Sequence, residues 1–504
     1  MEGSNKKRGV HPIWFFVILS IITIILSGIL SLFNFQGTAL DISKSLKSSS
    51  SVMTVESLLS IDGFRFIFGE CINNFLKFMP LGTLIVGLLG IGVAVKTGLL
   101  KSIFSKIAKV LPRRTMFFVF SLLCIIMGFS TDLSYIIMIP IAAILFTEYK
   151  RSQMLGMTMA FVSTAAGANI NIFITSLDYS LIELSKSAVS IIDSDYSYGY
   201  TGDLFFIIVS SLLLALLVSI ITEILARTKP VRIGEEEKQI DSKLDKKGLK
   251  NSFIALFIMI IIFVYSIIPN LPLSGALLDS NQSYYVNKLF SANAPFVNGI
   301  LYIVSLAFII CGVIYGISTK QIKSDRDIIN SLTNSLNGIG EMLLLIFVSS
   351  QFVALFKYTN IGNIITINIF NFLRHGELSF IVLILFSFLG IAISSLFLTS
   401  ISTKWTLFVP GLIPAFMKSN ITPEFTGAIF RLSSSTTSML TPLLPYFSVF
   451  LGFVGLYSRN DFSVKKCYKL LMPYFIGVTV LWLFIIIGWY VLRAPIGPGV
   501  YPTI

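Results

Sequence analysis

The chain has 504 residues, of which 55% are hydrophobic and only 12% charged, about half the roughly 25% usual in soluble domains. A mean hydropathy of +0.85, with apolar runs of about 20 residues recurring from end to end, excludes a water-soluble core and fits repeated crossings of a hydrocarbon layer. The net charge of +13 would point to nucleic acid on a soluble protein. Here it is the Lys/Arg excess of cytoplasmic loops, and no nucleic-acid partner is expected. Cys71, Cys124, Cys311 and Cys467 are scattered, which excludes a disulfide scaffold. His11 and His375, the only histidines, lie in predicted loops, so imidazole metal chemistry and cofactors are not expected.

In chain order, residues 1–11 read as a cytoplasmic N-terminus. The apolar stretch 12–33 follows Lys6, Lys7 and Arg8 and exceeds the about 7–15 residues of a signal-peptide core, so it reads as a retained span. Gly90, Ala94 and Gly98, four residues apart, predict close helix packing. Twenty-six basic residues cluster in six stretches that define one side, against ten in the other loops. The bias places the N-terminus inside and the C-terminus outside. The segment 115–147 has basic loops at both ends and two apolar arms, 116–127 and 135–146, around Gly128 to Ser134. Arms of about 12 residues rise only about 18 Å, which predicts a re-entrant hairpin with a polar tip. Segment 153–190 predicts a helix broken at Gly167-Ala168-Asn169-Ile170-Asn171, and a span follows at 203–225. Residues 12–226 form the first repeat and 227–250 a cytoplasmic linker. Residues 251–296 add a span and an outside loop.

The second repeat, 297–504, offers spans at 297–317 and 338–356, a hairpin over 379–417 and a broken helix over 424–456 interrupted at Ser433 to Ser438. A last span covers 468–492. The expected fold is all-α and polytopic, with about nine transmembrane helices and two re-entrant hairpins. The halves match in detail. Ser130, Tyr135 and Pro140 parallel Ser400, Trp405 and Pro410 at an offset of 270. The charge bias turns the two hairpins opposite ways, so the repeat is inverted. Inverted repeats with broken helices meeting at the midplane are the architecture of secondary transporters.

Ionisable residues at membrane depth are functional candidates by default. They are Asp132 at the first tip, Asp178 past the first break, Lys404 beside the second tip and Arg431 before the second break. The plainer alternative for each is an interhelical partner, or snorkelling for Lys404. The tip hydroxyls Ser130, Thr131, Thr399, Ser400 and Ser402 could serve a ligand or back-bond to helix carbonyls. Trp405 could line a site or pack.

These residues resemble the AbgT, or p-aminobenzoyl-glutamate transporter, family of the ion transporter superfamily. The resemblance rests on Ser402-Thr403-Lys404-Trp405, Val409-Pro410, Thr422-Pro423-Glu424, Arg431, Thr441-Pro442-Leu443 and Pro445-Tyr446-Phe447. Pro80-Leu81-Gly82-Thr83 and Ile496-Gly497-Pro498-Gly499 add to it. It implies a homodimer in the plasma membrane that moves p-aminobenzoyl-glutamate inward, or sulfonamide-type antimetabolites outward, on an ion gradient. Positions matching the family's functional residues are Asp178, Ser402, Trp405, Pro423 and Arg431. Ser395, Ser434 and Ser438 stand where the family usually has Asn, Asp and Asn, which weakens a second-half Na⁺ site because hard cations prefer charged oxygens.

Of the competing classes, a membrane enzyme would need a nucleophile–base pair or metal ligands at depth, and a channel would lack inverted broken helices. The expectation is therefore a secondary transporter for an aromatic or amino-acid-like anion, with the lipid bilayer and a small anionic substrate as partners. Ser130, Asp178, Ser400, Ser402, Trp405, Pro423 and Arg431 are the candidate substrate contacts. Asp132, Asn169, Asn171, Asp178, Ser395 and Ser434 are the candidates for coupling to a proton or Na⁺. The two tips are expected to meet at one cavity beside Asp178 and Arg431, with Arg431 on a substrate carboxylate.

Overall fold

The computed structural model describes residues 10–41, 49–173, 175–227, 241–291, 293–374, 380–458 and 463–504. Lys6 to Arg8, His375 and much of the 227–250 linker lie outside the described residues. The first half contains α1 (Pro12–Leu32), a two-stranded antiparallel hairpin of β1 (Gln36–Asp41) and β2 (Ser49–Thr54), α2 (Ile61–Gly69), α3 (Cys71–Leu76), α4 (Pro80–Lys96) and α5 (Leu99–Val110). It continues through α6 (Arg113–Met127), α7 (Thr131–Leu133), a π-helical turn (Ser134–Met138), α8 (Ile139–Glu148), α9 (Gln153–Gly167), α10 (Ser176–Val189) and α11 (Leu204–Ala226). The second half contains α12 (Ser242–Ile267), α13 (Tyr285–Phe290), α14 (Pro295–Ser318), α15 (Asp325–Ser335), α16 (Ile339–Tyr358) and α17 (Ile361–Arg374). It closes with α18 (Phe380–Phe397), α19 (Ile401–Lys418), α20 (Pro423–Thr436), α21 (Pro445–Tyr457) and α22 (Val464–Leu492).

Pro12, Pro80, Pro295, Pro423 and Pro445 each open a helix, where the missing N–H costs nothing and the fixed φ is already helical. Among the described residues, seven helices are long and apolar enough to cross a membrane, or eight if the bent pair α4–α5 is one span. The expected nine exceed that count. The β-hairpin is an addition to the all-α expectation. It docks on α17, where Asn368 and Asn371 donate to the carbonyls of Gln36 and Thr38 at 3.2 and 3.1 Å.

Gly90 packs α4 against α14 so tightly that a Cβ would stand 2.4 Å from Ser305 Oγ. Gly98 does something else. Its φ of +82° is open to glycine at little cost, and it turns the chain 68° between α4 and α5.

The arms of the first hairpin are longer than expected. α6 has 15 residues, and the helical run Thr131–Glu148 has 18. The reason lies at Pro140, whose ring would crowd the carbonyl four residues back. The π-helical turn Ser134–Met138 opens the ladder there, so the helix runs on through the proline. At 1.5 Å per residue the longer arm rises about 27 Å, so shortness alone does not keep it from crossing. The outer ends of the two arms meet. Tyr149 Oη donates to the Leu111 carbonyl at 3.0 Å, and Phe117 stacks on Phe146 at 4.7 Å.

Several basic residues from the clustered loops gather at this same end. Arg113 Nε donates to Glu223 at 2.8 Å, Arg151 to the Ala226 carbonyl at 2.7 Å, and Lys106 pairs with Asp245 at 2.6 Å. The centre of the molecule is formed by the interrupted helices. Every residue of α20 is buried, as is all of α9 after Gln153.

Candidate functional site

The site forms where α9 stops and α10 begins. Thr175-Ser176-Leu177-Asp178 is a capping box: Asp178 N–H donates to Thr175 Oγ1 at 3.4 Å, and Thr175 N–H returns to Asp178 Oδ2 at 2.6 Å. The box satisfies two orphan donors of the first turn and sets a carboxylate against the positive end of α10. Thr175 Oγ1 also lies 2.7 Å from Oδ2.

The other oxygen of Asp178 takes the Nη1 of Arg431, which reaches in from α20. Arg431 Nε faces Asp203 Oδ2 at 3.5 Å, and Nη1 also lies 3.5 Å from the Asn169 carbonyl. Arg431 is thus held between two carboxylates contributed by the other half of the chain. A buried guanidinium needs such partners, because an unpaired charge in this setting is costly. In this conformation its fork is turned on Asp178 and not presented to a substrate carboxylate.

Asn169, Asn171, Thr175, Asp178, Ile401 and Arg431 surround a pocket of about 10 Å³, room for about one water and far below the about 300–1,000 Å³ of ligand-holding clefts. The second tip borders it, and the first stands behind its wall. Ile401 belongs to the second tip, whose Ser400 caps α19 by accepting from the Thr403 N–H at 3.3 Å. On the first tip, Gly128 lies beside Ala168 and Asn171, and Asn171 donates to the Ile126 carbonyl at 3.3 Å.

The remaining candidates sit around this pocket rather than in its wall. Ser130 gives its carbonyl to the Ser134 N–H at 3.1 Å, and Ser402 Oγ lies 3.3 Å from Ser400 Oγ. Asp132 takes the Tyr446 hydroxyl and lies 3.4 Å from Thr83 Oγ1, tying the first tip to α21 and α4. Tyr446 stacks on Tyr135 at 4.5 Å. Trp405 is buried and bolts α19 to α10, donating to the Leu181 carbonyl and Ser185 Oγ, both at 3.1 Å. Pro423 opens α20 beside the C-terminal tail, where Thr422 N–H donates to the Pro502 carbonyl at 3.1 Å.

The second break is built from hydroxyls. Thr437 and Thr441 each donate at 2.7 Å to the carbonyls of Ala392 and Leu396 on α18, while Ser433, Ser435 and Ser438 back-bond within α20. Ser434 Oγ is buried without a partner. Lys404 is buried, and Ser395 Oγ at 2.6 Å is its one hydrogen-bond acceptor among the described residues.

Asp203, Tyr446, Tyr196 and Glu424 were not among the sequence candidates. Asp203 could have been found as an acid at the edge of the 203–225 span. Glu424 stood inside the Thr422-Pro423-Glu424 motif without a role. Tyr446 likewise stood inside the Pro445-Tyr446-Phe447 motif without a role, and nothing local marks Tyr196, whose partner lies 228 residues away. No group of three or more His, Cys, Asp or Glu that could hold a metal ion occurs among the described residues.

Residues 7–504 match the "AbgT putative transporter family". The chain belongs to that family. It is 27% identical over 504 residues to the p-aminobenzoyl-glutamate transport protein of Escherichia coli (strain K12), covering 98% of this chain and 94% of that one. Among solved structures, the Alcanivorax borkumensis YdaH transporter, described as having an unusual topology, is 28% identical with a TM-score of 0.49, covering 97% of this chain and all of that one. Neisseria gonorrhoeae MtrF, described with a class of antimetabolite efflux pumps, is 27% identical with a TM-score of 0.49, covering 98% of each chain. This AbgT-family chain is an integral membrane transporter of a small molecule, and not an enzyme.

Proposed function

We propose that the protein is a secondary active transporter of an aromatic or amino-acid-like anion of the p-aminobenzoyl-glutamate type, driven by a proton or Na⁺ gradient. The observation that carries this reading is the buried Asp178–Arg431–Asp203 cluster at the break between α9 and α10, with the second tip in the pocket wall and the first packed behind it. Two broken helices and two tips around one charged pocket suit alternating access, since rocking one element uncovers the same groups to either side. The E. coli relative's name supports the substrate class. Export of a sulfonamide-type antimetabolite is the second reading, and it rests on the family resemblance.

In this account the pocket is closed around its own ion pairs, and opening it frees Arg431 for a carboxylate by loosening Asp178. Asp132, Asn169, Asn171 and Asp178 are the first-half candidates for coupling, while Ser395 and Ser434 leave the second-half cation site with hydroxyls and carbonyls. The protein acts as a plasma-membrane homodimer with nine spans and two re-entrant hairpins, N-terminus inside and C-terminus outside. The test is counterflow of radiolabelled p-aminobenzoyl-glutamate in proteoliposomes, with a sulfonamide as competitor. Saturable exchange of the label is expected. Flux that rises linearly without saturation, or no exchange of either compound, rejects the assignment.

A further inference from the structure

Glu424, the second residue of α20, is a buried carboxyl group with unusual company. Its Oε2 accepts from Tyr196 Oη at 2.8 Å, and its Oε1 is buried without a hydrogen-bond partner among the described residues. No Lys or Arg pairs with it among the described residues, in contrast to Glu223, which has Arg113. Its side chain packs directly on Gly202, where a Cβ would stand 2.5 Å from Glu424 Cγ and 3.4 Å from Oε1. That places it beside Asp203, which in turn faces Arg431.

We propose that Glu424 holds and releases the coupling proton of this transporter. The argument is one of charge. Asp178 and Asp203 share a single guanidinium, Arg431, and Glu424 stands beside Asp203 with no cation of its own among the described residues. Crowded carboxylates out of water do not all ionise together, and the one with least support keeps its proton. Asp178 has Thr175 on one oxygen and Arg431 on the other, so both of its oxygens are already occupied. Asp203 faces the guanidinium and is partly open to water, its side chain being 17% exposed. Glu424 has one neutral phenol donor, the backbone N–H groups of Gly199 and of its own residue nearby, no cation, and one oxygen without a hydrogen-bond partner among the described residues. That oxygen is where a proton sits at least cost.

Asp203 is its charged neighbour, Asp193 lies near its donor Tyr196, and the neighbouring helices bring no cation to it among the described residues. α9 and α18 carry no ionisable side chain, and on α10 Glu183 and Lys186 pair with each other. Tyr198 approaches the same helix, its hydroxyl 3.3 Å from where a Cβ of Gly427 would be. Lys418, Arg493 and Tyr501, at the ends of α19 and α22 and in the tail, are exposed. The exposed stretch around residues 191–195 leads from water towards Tyr196.

Taking up one proton at Oε1 turns the carboxylate into the acid and lowers the cluster's net negative charge by one. Release reverses this. An anionic substrate meets less repulsion in the protonated state, so proton and anion bind together and travel the same way. This rests on the anion-transporter reading above.

Two measurements test it. The first needs no substrate: infrared spectroscopy of the purified full chain at neutral pH should show a protonated-carboxyl C=O band that disappears in Glu424→Gln, persists shifted in Glu424→Asp, and is untouched by Asp132→Asn. The second is uptake of radiolabelled p-aminobenzoyl-glutamate into proteoliposomes with acid outside. One proton per anion gives about tenfold accumulation for about one unit of pH difference, and Glu424→Gln should bring this to about the no-gradient level. A band that is absent from the wild type or survives in Glu424→Gln overturns the proposal. So does undiminished accumulation in Glu424→Gln. If no label exchanges in the wild type, the substrate reading fails, and the infrared result alone decides the proton site.

Discussion

The two helix breaks of this transporter are built from opposite materials. The first, between α9 and α10, uses a capping box and a cross-chain ion cluster: Asp178 meets Arg431 across 253 residues of sequence, and Asp203 shares the guanidinium. The second, between α20 and α21, uses Ser and Thr hydroxyls that reach neighbouring carbonyls at 2.7–2.9 Å. Hydroxyl–carbonyl bonds are neutral, and each contributes about 1 kcal/mol. A desolvated charge pair resists separation far more than it stabilises the fold. The first break is therefore the one whose rearrangement is strongly charge-dependent, while the second can slide at modest cost. That asymmetry is the ground for proposing ion coupling at the first break and mechanical freedom at the second.

The largest expected effect comes from breaking the cluster. Arg431→Met strands Asp178 and Asp203 as buried, unpaired carboxylates, and should cost about 3–5 kcal/mol, read as a lower melting midpoint in detergent together with lost transport. Arg431→Lys keeps the charge but not the planar fork, and one ammonium cannot serve two separated carboxylates as well. It should fall between wild type and Met in both readings. An Arg431→Met protein as stable as wild type would remove the contrast between the breaks.

The second break gives the reverse expectation. Lys404 is buried and has no carboxylate within ion-pair distance among the described residues. Replacing it by Met, similar in shape and uncharged, should leave stability unchanged or raise it by on the order of 1–4 kcal/mol. Ser434→Ala should be nearly neutral, because its hydroxyl already lacks a partner. A fall in midpoint for Lys404→Met would show that the ammonium is compensated in the resting protein, and that the second break is charged after all.

Tyr446 joins the two breaks, since the residue stands just past the second one and donates to Asp132 on the first tip. Tyr446→Phe keeps the stacking on Tyr135 and removes only the hydroxyl. A hydrogen bond to a charged group is worth about 1.5–3 kcal/mol, and a loss of that size in thermal unfolding is expected. If Asp132→Asn gives the same loss, and the double variant no more, the two side chains act as one unit.

The helical, polytopic class and the family were legible because both follow from local signals: apolar run length, and short motifs around residues 402–447. Asp178 and Arg431 were visible as ionisable groups in apolar surroundings, and a capping box can be read at Thr175 to Asp178. What the chain does not display locally is which of them face each other. Asp203 and Glu424 belong to the cluster only because the 196–203 stretch folds back over α20, a contact that no periodicity encodes. The length of the hairpin arms was misjudged for a physical reason. A polar tip and a proline read as helix ends, whereas the π-helical turn at Ser134–Met138 carries the helix through both.

The smallest effect separates the two duties of Asp178, which both caps a helix and anchors a guanidinium. α15 supplies a comparison, since Ser324 and Asp327 form the same capping box in an exposed position. There the backbone N–H groups of Lys323 and Ser324 hold Asp327 below the usual carboxylate range. A group whose folded pKa is lowered stabilises above its unfolded pKa and loses that contribution as pH falls through the folded value. The first turn of α15 should thus fray in acid, seen as faster amide exchange there. At α10 the same motif is fastened by Arg431 as well. Thr175→Val removes the hydroxyl from the box and should cost about 1 kcal/mol, while the Asp178–Arg431 pair remains and transport persists. Asp178→Asn should cost more and abolish gradient-driven accumulation. Equal losses from the two substitutions would mean that Asp178 serves the helix alone, and that the charge cluster at the first break is scaffolding rather than machinery.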